Sequence, residues 1–227
     1  GETGYLYVTF ENVGQDSSGD LTFSLSHDGD MVDMNNTILE HTSIAAGEEV
    51  TIGPFEFMVS WNVENGSIIP FILNVTDGNE TWEYETNIPV EAPEFNLLSV
   101  EFMDMGNGTL DPGESTTMQL VLNNLGNAPL NYPTFIATTS DPNITLGTVT
   151  SDNAYLWEIN GNLSVTVDLT ASNDAPIGHT ALVGLVIGSS GTDYENVFPV
   201  PITLGLLIED FESENFTAFD WIHSGDN

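Results

Sequence analysis

Apolar residues recur at every second position along most of this chain, and a period of two fits a strand and not a helix. Leu6, Val8 and Phe10 alternate with Tyr7 and Thr9. Leu21, Phe23 and Leu25 alternate with Thr22 and Ser24, and Leu163, Val165, Val167 and Leu169 with Ser164, Thr166 and Asp168. Clusters of Gly, Asn, Asp and Pro separate these runs at roughly ten-residue spacing, the pattern of a sandwich or barrel of short strands. Residues 68–75 and 181–187 are nearly continuous apolar runs, which predicts central strands buried on both faces. Residues 31–40 are the one ambiguous stretch, and no amphipathic helix stands out. The expected class is all-β and antiparallel.

Composition narrows the function. The 227 residues include 35 Asp plus Glu and four His, with no Lys, Arg or Cys. An average chain is about one quarter charged, with both signs present. Without a cation there is no Lys or Arg contact to phosphate, which excludes a cationic nucleic-acid binder and a P-loop. Without Cys there is no thiolate nucleophile or Cys metal ligand in these residues. Each carboxylate has to be hydrated, hydrogen-bonded to N–H or O–H groups, or bound to a metal ion. The hydrophobic content of 40% is still enough to bury a core against a net charge of −35. That charge predicts stabilisation by salt, and by mild acidification if repulsion raises the folded-state carboxyl pKa values. Residues 198–208 form the longest apolar stretch near the end, broken by Pro199, Pro201 and Gly205. No run reaches the roughly 18 apolar residues of a spanning helix, so membrane insertion is not expected. Strand-like sequence starts directly after Gly1, so these residues are expected to be a processed or excised part of something larger, without a signal peptide.

The chain repeats internally. Gly1-Glu2-Thr3 recurs as Gly113-Glu114-Ser115, and Asn12-Val13-Gly14 recurs at the same offset as Asn124-Leu125-Gly126. Between these anchors Leu6, Val8 and Phe10 match Met118, Leu120 and Leu122, and Phe23 matches Phe135. Further on, Tyr84-Glu85 resembles Tyr194-Glu195 and Pro89-Val90 resembles Pro199-Val200, an offset shorter by two. The expected organisation is a β unit over 1–92 whose first strand is missing, a second over 93–205, and a truncated segment over 206–227.

The string from Asn107 to Ser115, with Asp111-Pro112-Gly113-Glu114 at its centre, followed by a strand and Asn124-Leu125-Gly126-Asn127-Ala128, resembles Ig-like β-sandwich repeats of the CARDB type. The tail Ile208-Glu209-Asp210-Phe211-Glu212-Ser213, then Phe216, Phe219 and Asp220-Trp221, resembles the opening of cleaved-adhesin or MAM-like jelly rolls. The order is similar to the region after the catalytic domain of gingipain-like cysteine proteases. The resemblance implies two tandem Ig-like β-sandwiches plus a truncated C-terminal strand segment, from a large secreted or cell-surface bacterial protein. Such proteases cut after Arg or Lys, so a region without either offers its parent no cleavage site.

Asp104, Asn107, Asp111 and Glu114 are the candidate metal ligands, because Ca²⁺ takes oxygen donors from flexible loops. The spacing is not that of an EF-hand, and the competing reading is that Asn107-Gly108 and Asp111-Pro112-Gly113 simply form turns. Asp28, Asp30 and Asp33 make a second acidic loop, read first as a solvated turn. Glu209, Asp210 and Glu212 would lie at a jelly-roll edge. His27, His41, His179 and His223 lack zinc-ligand spacing, and no Ser lies in a G-x-S-x-G elbow. Trp61, Trp82, Trp157 and Trp221 with Tyr5 and Tyr7 offer a sugar platform, against which stands cross-strand packing of Trp82 and Tyr84. Sequons begin at Asn35, Asn65, Asn74, Asn79, Asn107, Asn143, Asn162 and Asn215.

The expected function is a non-catalytic Ig-like spacer or presentation region, with no catalytic residue and Ca²⁺ as the one expected cofactor. The alternative is an adhesin or carbohydrate-binding module. Expected partners are neighbouring domains of the same polypeptide, and host or surface glycans or proteins, with no nucleic acid.

Overall fold

The computed structural model describes residues 1–103 and 108–205. Asp104 and Asn107, and the whole of 206–227 with Glu209, Asp210, Glu212, Trp221 and His223, lie outside the described residues.

The described residues form sixteen strands and no helix. The first seven are β1 (Thr3–Glu11), β2 (Leu21–Ser26), β3 (Val32–Asn36), β4 (Ile38–His41), β5 (Glu49–Val59), β6 (Ile68–Thr76) and β7 (Thr81–Pro89). The ambiguous stretch 31–40 thus supplies β3 and β4. These strands build two antiparallel sheets, β1-β5-β3 and β4-β2-β6-β7. Alternate residues of both sheets turn inward, and Phe23, Leu25, Phe55, Ile69 and Phe71 meet as one core.

The second unit is built from β8 (Phe95–Phe102), β9 (Ser115–Asn124), β10 (Leu130–Asn131), β11 (Pro133–Thr138), β12 (Ile144–Ser151), β13 (Leu156–Trp157), β14 (Asn162–Ala171), β15 (Thr180–Ser189) and β16 (Glu195–Thr203). Its sheets run β12-β14-β9-β8 and β11-β15-β16, with β10 and β13 as a two-stranded flap. A separate core of Met118, Leu120, Leu122, Val165, Val167, Val183 and Leu185 lies between them. Two β-sandwiches follow one another, as the alternation and the repeat predict.

Two expectations need correction. Strands β6 and β15 are central, but only one face of each is buried. Ile68 is 51% exposed and Leu182 58%. A two-layer sandwich has one inner face per sheet, so a continuous apolar run leaves every second residue outside. The repeat offset is the other correction. Phe23 pairs with Val75 and Phe135 with Ile187, so the offset of 112 holds through the central strands. Gly66 donates to the Val90 carbonyl, and Gly178 to the Leu204 carbonyl. In the last hairpin Leu73 pairs with Tyr84, whereas Leu185 pairs with Phe198. Tyr84 therefore corresponds to Phe198, and Val90 to Leu204. The last turn of the second unit is longer by two residues, and the Tyr-Glu and Pro-Val likenesses are matches of type and not of place.

Candidate functional site

Of the expected calcium ligands, the structure describes Asp111 and Glu114. Glu114 Oε2 accepts the Asp111 N–H at 2.9 Å, and the Glu114 N–H donates back to the Asp111 carbonyl at 3.0 Å. Thr109 Oγ1 donates to Asp111 Oδ1 at 3.4 Å. These bonds close a turn around Gly113, whose φ of 82° favours glycine. Asp28, Asp30 and Asp33 are all exposed. Among the described residues no three acidic or histidine side chains converge on a common point.

His179 Nε2 lies 2.6 Å from Asp141 Oδ2, the one side-chain ion pair among the described residues. The Asn143 N–H first, then the His179 ring, hold the Asp141 carboxyl below its ordinary value. His27 Nδ1 lies 2.7 Å from the Pro70 carbonyl, and His41 meets the Thr42 carbonyl. The aromatic candidates disperse. Trp157 is buried, stacked on Phe95 with ring centroids 4.5 Å apart, and donates its indole N–H to the Gly161 carbonyl. Trp61 is half-buried. Tyr5 and Tyr7 stand exposed on the outer face of β1, while Trp82 and Tyr84 lie on the inner face of β7.

The most specified polar geometry lies where the two sandwiches meet. Asn65 Oδ1 accepts the N–H groups of Ala92 (3.2 Å) and Asn127 (3.3 Å), and its Nδ2 donates to Glu94 Oε2 at 3.3 Å. Asn124, fully buried, accepts the N–H groups of Glu94 (3.2 Å) and Gly126 (3.0 Å) on Oδ1 and donates to the Ala128 carbonyl at 2.9 Å. Leu125 N–H donates to the Glu94 carbonyl at 2.7 Å, and Asn127 N–H to the Ala92 carbonyl at 3.1 Å. The backbone approach is so close that a Cβ on Gly126 would fall 2.2 Å from the Ala92 carbonyl oxygen. Beside this brace lies a cleft of about 690 Å³ lined by Phe57, Trp61, Val90, Pro93, Leu130 and Tyr194. Burial pushes the Tyr194 phenol up to about 12.

Asn124 belongs to the repeated Asn-x-Gly motif, which the structure explains. Asn12 Oδ1 accepts the Gly14 N–H at 2.9 Å, and its Nδ2 donates to the Asp16 carbonyl, the same two local bonds that Asn124 makes with Gly126 and Ala128. Both are Asx turns that close the end of a strand. In the first unit the third contact is the Ile44 carbonyl; in the second it is the N–H of Glu94, one residue before β8. Asn65 was legible only as a sequon, because its partners lie 27, 29 and 62 positions away.

No family model and no curated protein matches this chain. Solved structures resemble it at low identity. A protein of unknown function from Porphyromonas gingivalis is 16% identical over 90% of this chain and 92% of that one, with a TM-score of 0.27. Cadherin-like domains 1 to 4 of zebrafish RET are 9% identical over 84% of this chain and 41% of that one, with a TM-score of 0.27. A chimeric titin functionalised with a decorin peptide is 11% identical over 84% of this chain and 89% of that one, with a TM-score of 0.23. Nothing about the role of this chain follows from likeness at that level.

Proposed function

We propose that this chain is a non-catalytic spacer and presentation region of a secreted or cell-surface multidomain bacterial protein, with a gingipain-like protease as its parent. The observation that carries the reading is the braced joint. A flexible tether needs no Asn65 carboxamide reaching from the first sandwich to Glu94 and Asn127, nor a glycine that admits the linker backbone. A spacer with a fixed angle needs both. The absence of Lys and Arg suits a region exposed to a parent that cuts after those residues.

Spin labels test the rigidity. The chain has no Cys, so Glu40→Cys and Thr148→Cys give one label on each sandwich. A single narrow distance distribution supports a stiff spacer, and a broad one refutes it. The sequence of the polypeptide beyond residues 1–227 tests the parent: a Cys/His catalytic domain supports it, and its absence removes the protease. The second reading, direct contact with glycan, draws on Tyr5 and Tyr7, 57% and 58% exposed side by side on β1. Binding of the isolated chain on a glycan array, lost in Tyr5→Ala/Tyr7→Ala, would favour it over a pure spacer.

A further inference from the structure

The joint holds a reactive dipeptide. Asn65 is followed by Gly66, and an Asn-Gly pair can close on itself, the glycine amide nitrogen attacking the side-chain carbonyl carbon of the asparagine. A glycine leaves that approach unhindered. Gly66 has a φ of 76°, and nothing lies within 4 Å of where a Cβ would stand.

The closed joint restrains both reacting groups. Attack needs the Gly66 nitrogen to give up its proton and the Asn65 carboxamide to swing over the main chain. The Gly66 N–H donates to the Val90 carbonyl at 2.9 Å. Asn65 Oδ1 accepts the N–H groups of Ala92 and Asn127, and Nδ2 donates to Glu94 Oε2. The Ser67 N–H donates to the Glu64 carbonyl at 3.2 Å and closes the turn around the pair. Glu94 and Asn127 lie on the far side of the linker from Asn65, so parting the sandwiches removes both partners together.

We propose that Asn65 is a self-modification site, whose deamidation is gated by the joint and leaves the joint loosened for good. Once the carboxamide is released, the Gly66 nitrogen bonds to Asn65 Cγ. The Gly66 amide proton and the side-chain NH₂ depart as ammonia, and a succinimide ring remains. Water then breaks one of the two carbon–nitrogen bonds of the ring. Cleavage at Cγ leaves aspartate at this position. Cleavage at the main-chain carbonyl carbon leaves isoaspartate, whose main chain runs through Cγ and is longer by a methylene. Water has replaced ammonia, and nothing is oxidised or reduced.

Either product loses the donor that reached Glu94. In the aspartate an oxygen stands where Nδ2 stood, 3.3 Å from Glu94 Oε2, and no Lys or Arg offsets the two like charges. In the isoaspartate the oxygen that accepted Ala92 and Asn127 has become a main-chain carbonyl on a lengthened turn. The step does not reverse, so the altered fraction records how long the joint has stood open. This chemistry needs the bonds of the joint and no particular parent protein.

The test compares the native chain with a synthetic peptide of residues 62–69 in the same mildly alkaline buffer. Digestion after Glu, which suits a chain without Lys or Arg, and mass spectrometry read conversion at Asn65. The native chain should convert at least about tenfold more slowly than the peptide, because the reaction waits for local opening. Gly126→Ala, which drives a Cβ against the linker backbone, should move the rate towards that of the peptide. The modified fraction, separated by its added negative charge, should give a broader Glu40–Thr148 label distribution than the unmodified one. Native conversion at the rate of the peptide overturns the gating, as does no acceleration in a folded Gly126→Ala chain. An unchanged label distribution in the modified fraction overturns the loosening.

Discussion

Asn12 and Asn124 offer a matched pair of perturbations within one molecule. Both make the same i+2 and i+4 side-chain bonds at the end of a strand. They differ in burial and in the third partner. Asn124→Ala leaves the Gly126 and Glu94 N–H groups and the Ala128 carbonyl without their bonds, at a site with no solvent access to the side chain. The Gly126 bond is buried and the other two are partly buried, so at about 1–3 kcal/mol for a buried group left unpaired and less for the others the cost is about 2–3 kcal/mol. Asn12→Ala leaves Gly14 N–H and two carbonyls unpaired, but in a half-buried loop where water replaces the partners. There the cost is about 1 kcal/mol. Urea unfolding followed by Trp157 fluorescence reads the second sandwich, and the Glu40–Thr148 label distance reads the joint. Asn124→Ala should lower the stability of the second unit and broaden the distance distribution, whereas Asn12→Ala should leave the distances unchanged. Equal costs for the two, with an unchanged distribution in both, would refute the idea that Asn124 braces the joint.

Gly126→Ala forces a Cβ against backbone atoms of Ala92, Pro93 and Glu94, so the label distance shifts while each core, followed by near-ultraviolet circular dichroism, stays folded; an unshifted distance removes the close approach. In acid, Asp141 and Asp77 act against the stabilisation expected from charge repulsion. Backbone N–H groups of Asn143, and of Glu80 and Asn79, hold these carboxyls below their ordinary 3.8, so the folded state binds fewer protons than the unfolded one. Stability present above that value is lost as pH falls through the folded-state values, which reverses the stabilisation expected had repulsion raised them. Thermal midpoints from pH 5 to 2 should fall, and less steeply in Asp77→Asn/Asp141→Asn; a rise would restore the repulsion account. NaCl between 0.01 and 0.15 M should raise the midpoint, because the Debye length contracts from about 30 to about 8 Å. If Asp104, Asn107, Asp111 and Glu114 hold Ca²⁺, CaCl₂ at matched ionic strength raises it further and Asp111→Asn abolishes the increment; equal midpoints remove the site.

Alternation was enough to read the strands, because burial of one sheet face imposes a period of two on every element. The anchors Asn12-Val13-Gly14 and Asn124-Leu125-Gly126 were legible because an Asx turn is a local device carried by adjacent residues. What failed was whatever depends on cross-strand pairing. Tyr84-Glu85 and Tyr194-Glu195 look alike, yet Tyr84 sits opposite Leu73 while Tyr194 precedes its strand. Residue type in a hairpin does not reveal a turn longer by two. The runs at 68–75 and 181–187 showed continuous apolar character without saying whether a third layer would cover the outer face. Of the candidate site, the reciprocal bonds of Asp111 and Glu114 follow from the turn residues themselves, but the joint could not be read. Asn65 reaches Glu94 and Asn127 only after both sandwiches have folded, and Asn124 reaches Glu94 only once β8 lies beside β9.

The joint and the closure of the second core are linked by one strand. Glu94 is gripped by Asn124 through its N–H and by Leu125 through its carbonyl, and β8 begins at the next residue. Phe95 then stacks on the buried Trp157, and Leu97, Val100 and Phe102 pack onto the second core beside β9. The segment that sets the angle between the sandwiches is thus the same one that closes the second. Tension applied across the joint runs first into the β8–β9 ladder, whose antiparallel bonds lie across the strands. Leu6, Val8 and Phe10 are no less apolar than Met118, Leu120 and Leu122, so their lesser burial goes with a neighbour that β9 has and β1 lacks among the described residues. Loosening the joint by Asn124→Ala should therefore speed amide exchange in β8 and β9 and leave β14 and β15 slow. Uniform acceleration across the second sandwich would mean that β8 is an ordinary edge strand and that stiffness at the joint is unrelated to closure of the core.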